Sequence, residues 1–216
     1  MAPSPGRRLA RSARSGLLIL PALALLAVGS IEASLAWFLA CRGAYVLFVG
    51  FSLRAQSSSA WWTRRYGVER GFERFRSAAA LLMTGDAAAI VLVCWLGRNT
   101  LTLGPSLPVR WFLGCVLVAV GILSKAWAVR TLGEGSFWWK GSFVPGEGDR
   151  FVTTGPYRWF RNPMYTLGYL HAYGLALVLG SLPGLFAAAA AQGLMLVMNH
   201  WAERPRTEAL RTAAHG

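Results

Sequence analysis

Long apolar runs separated by short polar segments set the pattern of the chain. Leu81 to Leu96 and Trp111 to Val129 each approach the ~20 residues that a helix needs to cross a hydrocarbon core of roughly 30 Å, so both are expected to be spans. Gly16 to Leu53 is too long for one span, since its 38 residues would make a helix of about 57 Å. A break is expected near Gly29, Ser30 and Glu32, leaving a short first span and a fuller second one from about Leu35. Tyr165 to Trp201 splits in the same way at Ser181-Leu182-Pro183-Gly184. The pattern predicts an all-α, polytopic membrane helix bundle of about six spans, or five if the first stretch crosses only once, ending in a helical hairpin.

Composition agrees with the pattern. Only 14% of residues are charged and 55% are hydrophobic, against about 25% charged in soluble domains, which argues against a soluble globular enzyme. The net charge of +13 suits nucleic acid or an anionic membrane face, and the apolar runs select the membrane. With both termini in the cytoplasm, Arg7, Arg8, Arg11, Arg14, the arginines from Arg54 to Arg76, those from Arg130 to Arg161, and Arg204, Arg206 and Arg211 all lie inside, while only Arg98 and Arg110 lie outside. The first apolar region lacks a convincing A-x-A cleavage site, so an uncleaved first span is expected rather than a secretory signal. Cys41, Cys94 and Cys115 lie far apart in apolar stretches and read as buried small hydrophobes rather than as a zinc or disulfide framework.

Ser57 to Arg76 mixes aromatic and basic residues at helical spacing, as an interfacial helix on anionic headgroups would. Its tether to the membrane on both sides argues against a nucleic-acid partner. Arg130 to Tyr165 is polar, glycine-rich and much longer than an ordinary connection, which marks it as functional. Pro156 and Pro163 fix backbone angles and make GPYRWFRNPMY a rigid lead-in to a helix starting near Pro163, whose N-terminus would attract carboxylates or phosphates. Glycines 133, 135, 141, 146 and 148 do not form a dinucleotide fingerprint. Asp86, inside its span, is expected to pair with Arg76 or to approach a ligand.

The order Leu132-Gly133, then TTGPYRWFRNPMYTLGY from Thr153 to Tyr169, resembles the integral-membrane methyltransferase superfamily of isoprenylcysteine carboxyl methyltransferase and the phospholipid N-methyltransferases, whose signature runs GPYRxxRHPxYxG. Gly155, Pro156, Tyr157, Arg158, Arg161, Pro163, Tyr165 and Gly168 fall at the signature spacing, and Asn162 replaces its histidine. Asparagine donates and accepts hydrogen bonds but does not titrate, so no histidine base operates there. The resemblance implies a cytosolic loop and two last helices enclosing S-adenosylmethionine, with a lateral opening for a lipophilic acceptor. It divides the chain into N-terminal helices at 1–130, carrying the basic aromatic loop 54–76, and a cofactor-binding region at 131–216.

The family ends in paired glutamates, and two candidates stand here: Glu208 in Thr207-Glu208-Ala209-Leu210 fits the spacing, while Glu203 follows Asn199 by one helical turn on the same face. Tyr165, Arg161 and Glu203 are the expected catalytic residues. Gly155, Pro156, Tyr157, Arg158, Asn162, Pro163, Gly168, Asn199 and Glu208 are the expected cofactor contacts. The ammonium of the cofactor needs an anion and its carboxylate needs donors, roles that a glutamate and Arg161 supply, while Tyr157, Trp159 and Tyr165 offer faces for adenine or sulfonium. The same aromatics and arginines also suit an interfacial belt, and His171 and His200 read as packed histidines. No metal, nucleic acid or protein partner is implied. The acceptor is a phospholipid headgroup amine, a prenylated carboxylate or another small amphiphile. Two other classes remain: an NADPH-dependent steroid or enoyl reductase with a similar R-x-P-x-Y ending, disfavoured by Met164 and Tyr169, and a non-catalytic membrane scaffold.

Overall fold

The computed structural model describes residues 29–102, 104, 106–144 and 152–203, without the side chains of Glu134 and Glu203. The described residues form helices and turns and no strands. The break in the first apolar stretch falls where the sequence places it: Gly29 takes a positive φ of 68° and α1 (Ile31–Ser59) begins at once. Ser30 caps α1 by accepting from the Ala33 amide at 3.1 Å, and Glu32 stands in the first turn, where a carboxylate meets the positive end of the helix dipole. The short span expected before Gly29 lies outside the described residues.

The interfacial segment is not one helix. Ala60 adopts a left-handed conformation (φ 52°) and ends α1; α2 (Trp61–Tyr66) then runs only to Gly67 (φ 79°), and α3 (Val68–Leu96) follows. Gln56 holds the first corner, its Oε1 accepting from the Trp62 and Thr63 amides and its Nε2 donating to Thr63 Oγ1. A side chain thus caps the orphan amides that open α2.

α1 and α3 pack together through stripes at helical spacing, Phe38, Cys41, Tyr45, Val49 and Leu53 against Phe72, Phe75, Ala79, Ala89 and Val93. α4 (Leu107–Leu132) is different: its buried residues are Gly114, Gly121 and Ala128, and large apolar side chains such as Phe112 and Leu123 face outward. Cys115 shares that exposed surface, so the expectation of three buried cysteines holds for Cys41 and Cys94 only. The small residues recur every seven positions, two helical turns apart on one face, and α6 (Leu170–Leu179) packs along them. A Cβ at Gly121 would run into the His171 backbone, and one at Gly114 would lie 2.9 Å from the Gly174 carbonyl oxygen.

The hairpin into α7 (Leu182–Met198) turns as the sequence indicates. Gly180 is left-handed (φ 62°), and Ser181 caps α7 by accepting from the Gly184 amide at 3.0 Å. Among the described residues four helices are long and apolar enough to cross a membrane: Ile31–Ser59, Val68–Leu96, Leu107–Leu132 and Leu182–Ala202. With 10 residues, α6 measures about 15 Å and is shorter than a crossing.

Candidate active site

α4 ends at Gly133 and the chain folds back in short turns. α5 (Glu134–Phe137) and a 3-10 turn at Lys140–Ser142 carry Phe143 into the core, where its ring centroid lies 4.8 Å from that of Phe75. The loop expected to be functional is therefore anchored to α3 from its first half. Its second half, from residue 152, begins with a 3-10 turn at Gly155–Arg158.

Gly155 has a positive φ of 58° and lies against the end of α4, where a Cβ would stand 2.6 Å from Thr131 Oγ1 and 3.3 Å from Trp127 Nε1. Gly168 lies against the same helix two turns deeper, where a Cβ would come 2.8 Å from Lys125 Cγ. The two signature glycines let the backbone of the loop lie directly on α4. Between them Pro156 and Pro163 are fully buried and Tyr165 is buried in the main core cluster.

The helix expected from Pro163 begins instead at Leu170, and α7 provides the reason. The Tyr165 and Thr166 amides both donate to the Asn162 carbonyl, closing a turn rather than a helix. The carbonyls of Tyr165 and Thr166 accept from Gln192 Nε2 at 3.1 and 3.3 Å, and Gln192 Oε1 is held by the Tyr173 hydroxyl at 2.8 Å. The Tyr169 amide then bonds to Thr166, giving a 3-10 turn at Leu167–Tyr169 before α6. Gln192 sits on an apolar helix without a motif around it, and only its place in the fold reveals it.

The two arginines of the signature face outward from this frame, while the Tyr157 hydroxyl is buried. Arg158 and Arg161 are exposed, Tyr157 and Asn162 are half-buried, and Trp159 is 65% exposed with its ring 5.9 Å from that of Trp127, the position of a belt aromatic. Asn199 opens a π-helical turn, Asn199–Glu203, in place of the α-helical turn assumed for Asn199 and Glu203. Such turns are rare and concentrate at functional positions. It packs on α1, where Trp201 meets Phe51 and the Arg54 guanidinium lies 4.9 Å from the Trp201 ring centroid. Glu208 lies outside the described residues. His200 is exposed, and His171 is half-buried with Nδ1 on the Gly168 carbonyl.

Asp86 does not pair with Arg76. Arg76 bonds to Glu73 one turn away, and Asp86 meets Arg42 of α1 at 2.6 Å, with Arg42 also donating to the Tyr169 hydroxyl at 3.0 Å. Arg42 was not singled out by any motif; a lone arginine between Cys41 and Gly43 in an apolar run is its sequence signal.

The phospholipid methyltransferase family model matches residues 109–210, the stretch from α4 through the signature turns and the last hairpin. Among similar curated proteins, the phosphatidylethanolamine N-methyltransferase of Coccidioides posadasii (strain C735) is 27% identical over 176 residues, covering 77% of this chain and 18% of that protein. Proteins of the same name from Phaeosphaeria nodorum and Paracoccidioides brasiliensis (strain Pb03) are 28% and 27% identical over 180 residues, each covering 77% of this chain and 19% and 18% of their own. The chain thus spans about a fifth of the length of the curated relatives it matches. No solved structure is a significant match. Four membrane-length helices among the described residues and a signature loop lying on α4 accompany this similarity to the phospholipid methyltransferase family, whose model covers just under half of the chain.

Proposed function

We propose that the protein transfers a methyl group from S-adenosylmethionine to the headgroup amine of a phospholipid at the cytosolic face of the membrane. The observation that carries this reading is the fixed course of Gly155–Gly168 over α4 and α7, inside the segment that matches the phospholipid methyltransferase family. The names of the relatives favour an amine acceptor over a prenylated carboxylate. Phospholipid amines and the basic aromatic α2, with Trp61, Trp62, Arg64 and Arg65, suit one another at an anionic interface.

The donor set fits the proposed cofactor. Arg161 and the amide of Asn162 would bind its carboxylate, Asn199 and Glu203 or Glu208 would receive its ammonium, and the faces of Tyr157 and Tyr165 would lie beside its cationic or aromatic parts. When bound, S-adenosylmethionine supplies an activated methyl group. The protein's task is then alignment and exclusion of water. The Gln192 clamp, the two buried prolines and Gly155 hold the turn bearing Tyr165 and Arg161 in one conformation, so binding need not order it. An ethanolamine acceptor must also arrive as a neutral amine, and Asn162 cannot take its proton, so water or a glutamate receives it.

The test is transfer of label from S-adenosylmethionine to phosphatidylethanolamine by the purified protein in lipid nanodiscs. Product bearing one or more methyl groups is expected, falling about tenfold or more in Tyr165→Phe and in Glu203→Gln. Absence of both transfer and cofactor binding overturns the proposal. Unchanged turnover in both variants overturns the residue assignment and leaves the reaction standing.

A further inference from the structure

Within the bundle, beside the signature turns, two basic side chains, Arg42 and Lys125, lie near one carboxylate, Asp86. Arg42 and Asp86 are only 4% and 5% exposed and form the 2.6 Å pair described above. The Lys125 ammonium of α4 lies 5.3 Å from the centroid of the Tyr169 ring, and the Arg42 guanidinium lies 5.8 Å from the same ring. Asp86 and Arg42 are close enough to Lys125 to act on it electrostatically. Among the described residues Lys125 has no ion-pair partner, and Arg42 Nε and Asp86 Oδ1 have no hydrogen bond. Tyr45, Tyr169 and Cys41 also face the pair, and His171, at the same level, is committed through Nδ1 to the Gly168 carbonyl.

A buried acid needs one base to balance it, and a second cation in a low-dielectric interior is costly unless an anion joins it. The unmet groups are a guanidinium N–H and an ammonium, which take an anion, and one carboxylate oxygen, which takes an N–H donor. A phosphate and an amine on the same molecule meet both demands. The cluster is also placed for a lipid. Gly168, three residues after Tyr165, lies on the Lys125 stem, and Lys125 is six residues, about 9 Å, deeper along α4 than Thr131, which touches Gly155. α4 packs on α6 and the signature turns and makes no comparable contact with α1 or α3, so the Lys125 flank of the cluster lies between helix pairs rather than within one.

Building on the phospholipid reading above, we propose that Lys125 and Arg42 bind the phosphate of the acceptor phospholipid, which reaches them laterally with its acyl chains still in the bilayer. Lys125 is then a specificity residue for acceptors that carry a phosphodiester, and the Arg42–Asp86 pair is the buried frame that orients the site.

The experiment is equilibrium binding of a short-chain phosphatidylethanolamine, and of the matching diacylglycerol ethanolamine ether that lacks the phosphate, to purified wild type, Lys125→Met and Lys125→Arg without cofactor. Wild type is expected to bind the phosphate-bearing lipid about tenfold more tightly than the ether, Lys125→Met to lose that preference, and Lys125→Arg to keep most of it. Retention of the preference in Lys125→Met overturns the proposal, and the arginine variant reports whether this position tolerates substitution. Inorganic phosphate displacing the lipid at comparable concentration also overturns it, assigning the cluster to a free anion. Because the readout is binding, phosphate-dependent binding without methyl transfer refutes the catalytic reading alone, and methyl transfer with phosphate-independent binding refutes this one alone.

Discussion

Arg42 shows how one side chain can be dispensable in composition and decisive in place. Its partner Asp86 is buried with it, so removing the arginine strands a carboxylate in a bundle interior. Arg42→Met is expected to destabilise the folded protein by about 3–5 kcal/mol, and Asp86→Leu in the same chain to restore most of the loss, as read by thermal unfolding in detergent. Gln192→Leu removes the donor held by the Tyr165 and Thr166 carbonyls, and a loss of about 1–3 kcal/mol is expected in the same assay. Neither residue belongs to a sequence motif. Arg42 and Asp86 stand 44 positions apart and meet only because α1 and α3 are antiparallel; Gln192 matters because it takes two carbonyls that an α-helix from Pro163 would have used. What was legible was local: the break at Gly29 and Ser30, the cap at Ser181, and the signature spacing. What was not legible was set by partners distant in the chain.

At the scale of elements, α4 and α6 meet through small residues, whereas α1 and α3 meet through large ones. Gly121 and Gly43 make a controlled comparison, since a Cβ at Gly121 strikes the His171 backbone and one at Gly43 meets nothing within 4 Å. Gly121→Ala is expected to lower the unfolding temperature, by a destabilisation of about 1–3 kcal/mol. Gly43→Ala is expected to raise it slightly, since alanine favours the helix by roughly 0.5–1 kcal/mol. The seven-residue spacing of Gly114 and Gly121 is too wide for the GxxxG pattern, and the seam became visible only with α6 laid along it. The basic aromatic segment likewise reads as a helix from its residue types, and breaks because Ala60 and Gly67 take positive φ. Gly67 advertised that conformation in the sequence; Ala60 did not, because Gln56 imposes it from the preceding helix.

For the whole molecule, the arrangement proposed here puts the connection between α3 and α4 outside and the signature loop inside. With Cys115 replaced by alanine, Ser142→Cys is expected to react with an impermeant maleimide only after the cytosolic face is opened, and Ser106→Cys to react in sealed cells. The reverse pattern would invert the topology and the proposed location of catalysis. Among the described residues four helices exceed or match a bilayer, but α6 does not, and the column it occupies is completed by the irregular backbone of the signature turns. Non-helical backbone survives at membrane depth only when protein or a wet cavity surrounds it. The short helix therefore acts as a notch in the wall of the bundle. In the proposed arrangement a lipid beside α4 faces polar groups below the level of its neighbours' headgroups, so the proposed reaction is brought down to the lipid, and the lipid need not be lifted out to meet it.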